Sequence, residues 1–213
     1  MTAKALHITG AALLVLAALG LAWMGQPGPA QKWQFLSAQL QPRLDNREVM
    51  IEPAELLELM HNDYIDLRLI DVRHEHDWNL FHLWGAQRIE PHELPAHREQ
   101  LAALPENGVI VFTSNDEQTA VDAWQLLMAT AQQPNAYILA GGINRWLNVF
   151  GKDNTHGHEA APPGEREALR HPLTWALGSR HPASLPDPHD FEFHDIQKKV
   201  KLQKRVVKKG GCG

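Results

Sequence analysis

VIVFTSNDEQTAVDAWQLLMATA, residues 109–131, is the stretch on which the fold turns. Its first five residues are an almost unbroken apolar run of β-branched and aromatic type, which suits a strand covered on both faces, as in a parallel sheet. From residue 117 the period changes. Ala120, Val121, Trp124, Leu127 and Met128 fall on one face of a helix over 117–131. Between strand and helix lies a polar joint, Ser114-Asn115-Asp116. Ser114 and Glu117 stand at capping-box spacing, and Asp116 and Glu117 place negative charge where a helix dipole welcomes it. A cap of this kind contributes about 1 kcal/mol.

The same alternation extends in both directions. Residues 48–51 read as a short strand, and Pro53 opens a helix with Leu56, Leu57, Leu59 and Met60 as its stripe. Residues 66–72 read as a half-buried strand, followed by short helices at 75–83 and 92–103. Residues 136–139 form another strand, and Gly141-Gly142 opens a last helix ending near Phe150. Strand alternating with helix predicts an α/β fold, a parallel sheet flanked by helices.

The flanks read differently. Residues 26–46, rich at first in Pro, Gly and Gln, and residues 152–165 read as linkers. A short docking helix is expected over 166–177, and an irregular stretch over 179–197, with Pro182, Pro186 and Pro188. Val200 and Leu202 alternate only far enough to be compatible with an edge strand. The chain thus divides into an N-terminal segment (1–25), a linker (26–46), a domain (47–151) and a C-terminal extension (152–213).

Residues 5–25, ALHITGAALLVLAALGLAWMG, contain no Asp, Glu, Lys or Arg. At ~1.5 Å rise per residue, such a helix is about 30 Å long, the thickness of a bilayer's hydrocarbon core. Two readings stay open: an uncleaved anchor, or a signal peptide cleaved near Gly28-Pro29-Ala30. The length of the run favours the anchor. Lys4 leans the short side towards the cytoplasm, which places the body in the periplasm of a Gram-negative cell.

Composition narrows the function. The net charge of −5 hides an asymmetry, because residues 198–209 hold seven of the 20 basic residues, leaving 13 against 25 acidic ones on the rest, a balance of −12. An acidic body is unsuited to nucleic acid. The single cysteine, Cys212, excludes an intramolecular disulfide.

Three motifs give the domain a family likeness. Asp71-Val72-Arg73 ends the second strand; His82 and then Gly85-Ala86 follow it; Leu139-Ala140-Gly141-Gly142-Ile143, with Trp146, closes the series. In order and spacing these resemble the rhodanese-like family over residues 47–151. The resemblance implies a cysteine at the end of the buried strand, whose thiolate carries a persulfide cradled by loop N–H groups. Thr113 stands in that place, and Gln118 stands where a basic residue is expected late in the loop. A hydroxyl without a neighbouring base is no substitute for a thiolate. The loop Thr113-Ser114-Asn115-Asp116-Glu117-Gln118-Thr119 is therefore expected to be a degenerate site. It would serve as a helix cap or recognise a neutral or cationic group on a partner, since Asp116 and Glu117 would repel an anion. The resemblance gives Asp71, Arg73, His82, Gly141, Gly142 and Trp146 structural roles, with Asp71 and Arg73 as an ion pair.

Two further features compete for a function. His74-Glu75-His76 and His156-Gly157-His158 have suggestive local spacing among 13 histidines, but neither brings the third and fourth ligands of a zinc site, so no metal and no cofactor is expected. The ending Lys208-Lys209-Gly210-Gly211-Cys212-Gly213 puts a thiol on a flexible arm beside two cations. It is similar to the Gly-Gly-Cys-Gly-Gly arm of sulfur-oxidation carrier proteins. The sequence thus predicts a membrane-anchored, silent rhodanese-like module with a protein partner in the envelope. The alternative is a sulfur carrier working through Cys212.

Overall fold

The computed structural model describes residues 27–151, 167–173, 175–191 and 197–202. The expected anchor and Cys212 lie outside these residues. Among the described residues no helix is long and apolar enough to cross a membrane.

The described chain begins with a helix where a linker was expected. α1 runs Pro29–Asp45, with Pro29 in its first turn and the Gly28 N–H donating to Gln31 Oε1 at 3.1 Å. Its polar composition conceals it, because Leu44 is its only fully buried residue. It is held in place by Trp33, which meets Trp124 edge-to-face at 6.1 Å.

The elements that follow are β1 (Met50–Ile51), α2 (Pro53–Met60), β2 (Asp66–Asp71), α3 (Glu75–Leu80) and β3 (Gln87–Arg88). Then come α4 (Leu94–Ala102), β4 (Gly108–Thr113), α5 (Gln118–Ala131), β5 (Ala136–Leu139) and α6 (Gly142–Phe150). The two-residue β3, formed by polar side chains, has no counterpart in the sequence reading. The strands build one parallel sheet in the order β1-β5-β4-β2-β3.

Side-chain alternation sends successive strand residues to opposite layers. Ile110 and Phe112 of β4, with Ile70 and Ile138, pack against α1, α4 and α5, including Trp124. Val109 and Val111, with Leu69, Tyr137 and Leu139, pack against α2 and α6, including Trp146. Thr113, two residues beyond Val111, belongs to the α6 side by the same alternation.

Topology fixes where a site can lie. β2 leads outward to β3, whereas β4 leads the opposite way to β5, although β2 and β4 are neighbours. A crevice opens at the carboxyl ends of such diverging strands. Asp71 and Thr113 are register partners at that spot.

The described residues of the C-terminal extension are bound to the domain, and those within 166–177 do not form the expected helix. Gly178 bridges Phe81, the Trp146 indole N–H donates to Ala183 O at 2.7 Å, and Phe191 meets Phe150 edge-on at 4.9 Å. Lys199 and Val200 both donate their N–H groups to Glu55 Oε1 at 2.8 Å, so this stretch binds a carboxylate instead of extending the sheet.

Candidate functional site

The floor of the crevice is a buried ion pair. Arg73 Nη2 lies 2.6 Å from Asp71 Oδ2, and their side chains are 2% and 0% exposed. Arg73 also donates from Nη2 to Phe81 O at 2.7 Å and from Nη1 to Asn115 Oδ1 at 3.1 Å. The guanidinium thus ties the end of β2 to the loop after β4. Charges so buried are tolerable only when all their partners are in place.

Thr113 is fully buried at the mouth of this floor. Its hydroxyl has no hydrogen-bond partner among the described residues, so none of them is poised to take its proton.

The loop beyond Thr113 is held by its carbonyls. Ser114 O accepts the Ile143 N–H at 2.8 Å, and Asn115 O accepts that of Asn144 at 3.0 Å. These carbonyls meet the start of α6 where Gly142 leaves room. A Cβ there would lie 2.1–2.6 Å from the oxygens of Asp116, Ser114 and Asn115, and φ is +58°. Gly141, at φ +69°, donates its N–H to Glu117 Oε1 at 2.6 Å. The two glycines let α6 start directly against the loop.

With its carbonyls turned inward, the loop directs N–H groups outward, and a carboxylate fills the position they face. Glu167 Oε1 accepts from the Thr119 N–H at 3.2 Å and from Ser114 Oγ at 3.4 Å; Oε2 accepts from the Asp116 N–H at 3.3 Å. Ser114 therefore does not cap α5. Its hydroxyl turns to Glu167, and the N-cap position is Glu117, whose side chain makes no cap hydrogen bond. The capping-box expectation fails because that carboxylate is engaged by Gly141 and by both terminal nitrogens of Arg47, at 2.6 and 3.1 Å. Hydrogen bonding to Glu117 raises the already high pKa of Arg47.

The loop's acids are consequently occupied. Asp116 Oδ1 accepts from Arg170 and, at 3.1 Å, from Asn144 Nδ2, and Oδ2 accepts the Glu167 N–H at 3.1 Å. The occupant of the loop is itself a carboxylate, and it sits beside Asp116 and Glu117 with Arg170 paired to the first and Arg47 to the second. Gln118 lies on the exposed side and binds Asp122 at 3.0 Å.

The remaining candidates stand around this arrangement. His82 hydrogen-bonds Trp78 O through Nδ1 at 2.9 Å and stacks on the Trp78 ring at 3.6 Å. His74 and His92 both approach Glu90 Oε2, at 3.6 and 3.7 Å, while His76 is exposed. Among the described residues no group of three potential ligands could hold a metal ion. His156 and His158 lie outside the described residues.

A family model described as Rhodanese-like domain matches residues 52–149. Residues 52–149 form a rhodanese-like domain. Among solved structures, the rhodanese-like domain of an Anabaena protein is 17% identical, covering 54% of this chain and 89% of that one, with a TM-score of 0.42. A single-domain sulfurtransferase of Saccharomyces cerevisiae is 18% identical, covering 49% and 92%, with a TM-score of 0.40. A Lactobacillus plantarum protein is 18% identical, covering 52% and 92%, with a TM-score of 0.41. No curated protein sequence matches the chain.

Glu167, Arg170 and Asn144 escaped the sequence reading. Glu167 and Arg170 lie 48–54 positions from the loop residues they bind, so local pattern carries no trace of them. Asn144 had a faint signal, as an amide on the otherwise apolar buried face of its helix.

Proposed function

We propose that the rhodanese-like domain is catalytically silent and acts by binding a protein partner, with residues 5–25 tethering it to the membrane and the domain in the periplasm. The observation that carries this reading is the state of the loop. A buried threonine occupies the nucleophile's place, and the cradle above it is filled by the chain's own Glu167. A hydroxyl with no base beside it cannot displace sulfite from thiosulfate at a useful rate. The full chain is expected to give no thiosulfate:cyanide sulfurtransferase turnover above a Thr113→Ala control. Turnover that survives Cys212→Ser but is lost in Thr113→Ala would overturn the reading.

A second reading rests on the Gly210-Gly211-Cys212-Gly213 ending. The Cys212 thiolate would attack the outer sulfur of thiosulfate, forming a persulfide as the S–S bond of thiosulfate breaks and sulfite leaves. Intact-mass measurement decides this. A gain of about one sulfur atom, reversed by reductant and absent in Cys212→Ser, supports a carrier; an unmodified thiol leaves the binding module alone.

A further inference from the structure

What residues 167–170 touch falls into two sets. The first is main chain. Asn115 Nδ2 donates to Glu167 O at 2.7 Å, Asn144 Nδ2 donates to Ala168 O at 2.8 Å, and Asn144 Oδ1 accepts the Arg170 N–H at 2.8 Å. Asp116 Oδ2 accepts the Glu167 N–H. These contacts read a peptide backbone and are indifferent to its side chains. The second set reads charge. Ser114, Asp116 and Thr119 donate to one carboxylate, and Asp116 Oδ1 takes one guanidinium three residues later.

We infer that this recess is a peptide-binding site for a segment with an acid and, three positions on, an arginine, and that residues 167–170 are its resident occupant, exchangeable for such a segment of a partner protein. This names the partner chemistry for the module proposed above and rests on that reading. Asn115 and Asn144, 2% and 1% exposed, are set by β4 and α6, so the receptor groups belong to the domain and not to the strap. Their amide groups are fully oriented by Arg73, Asp77 and Asp116, which leaves them one way to meet a main chain. Both charges are needed together. An acid alone would stand beside Asp116 with no countercharge, whereas the Glu-x-x-Arg pattern brings a cation to Asp116 together with the acid.

The resident strap is a poor tenant. Its carboxylate bonds are all 3.2–3.4 Å, long for charge-assisted hydrogen bonds. Glu167 also sits at φ +72°, a region that L-residues enter at a cost. Ala168 and Arg170 are exposed, so an incoming segment meets an open edge.

The test uses the full chain and a fluorescent peptide copying residues 164–173, GEREALRHPL. The double variant Glu167→Ala/Arg170→Ala is expected to bind this peptide at least about tenfold more tightly than the wild type. A control peptide with both corresponding residues replaced by alanine is expected not to bind. Equal binding by variant and wild type, no binding to a folded variant, or equal binding of the control peptide would overturn the inference. Should the variant fail to fold, millimolar peptide added to wild type is expected to shift the Asp116 and Thr119 amide resonances; unmoved resonances would overturn it equally. A concentration-dependent dimer that free peptide dissolves would put a second copy's strap in the recess and overturn the partner assignment. Sulfurtransferase assays keep the failures apart. No binding with no turnover sinks the recess alone, whereas Thr113-dependent turnover sinks both.

Discussion

Replacing Arg73 with methionine tests how the crevice is held together. The substitution keeps most of the apolar stem and removes the charge. Asp71, with no exposed surface, would retain only the Arg73 backbone N–H, 3.1 Å from Oδ1, as a donor among the described residues. Breaking a buried pair from one side costs about 3–5 kcal/mol, because the remaining charge stays buried without compensation. Phe81 O and Asn115 Oδ1 would lose their guanidinium bonds as well, each worth about 1 kcal/mol. Urea unfolding of a chain starting at residue 27 is therefore expected to show a loss of about 5–7 kcal/mol, with the midpoint moving and the slope unchanged. Asp71→Asn in the Arg73→Met background removes the orphaned charge and is expected to recover about half of that loss. A single-variant cost under about 1 kcal/mol, or a double variant no more stable than the single, would refute this account of the ion pair.

Other outcomes follow from individual contacts. Gly142→Ala must push three loop carbonyls aside and hold alanine at positive φ, so a loss above about 2 kcal/mol is expected in the same assay. Glu55→Ala removes the acceptor of the Lys199 and Val200 amides, whose hydrogen exchange is expected to accelerate at least about tenfold while the β4 amides stay protected. Burial raises the pKa of Tyr137 above its ordinary value of 10.0. Above about pH 10 the unfolded chain gives up this proton before the folded one does, so stability is full below that pH and falls as pH rises through the folded pKa. Tyr137→Phe is expected to flatten this alkaline decline in urea midpoints measured from pH 9 upward; an unchanged decline would assign it to other groups.

The sheet was legible because its central strands carry their burial in their composition. Residues 109–112 admit no solvent-facing side chain, and the structure buries all four. Asp71 and Arg73 were legible through the motif that contains them. α1 was hidden because a helix anchored mainly by Trp33 and Leu44 needs no apolar stripe, and its glutamines and prolines imitate a linker. The capping box misled because side-chain spacing cannot say which competing donor wins. Gly141 and Arg47 claimed Glu117, and a residue 53 positions away claimed Ser114. Local pattern describes a chain segment's options; the choice among them is made by neighbours that sequence distance conceals.

The stretch from residue 167 onward also bears on what counts as one cooperative unit. Recognisable likeness stops at residue 149, yet the Trp146 indole, the Glu55 carboxylate and the loop after β4 each find their partners beyond it. A gene fragment cut at the family boundary would leave a buried tryptophan N–H and a buried carboxylate without their counterparts, at roughly 1–3 kcal/mol for each such group. Against the roughly 5–15 kcal/mol by which a typical domain is stable, that is a large share. The length that carries the family likeness and the length that melts as a whole are then different, and transplanting the shorter one would carry the shape without its stability.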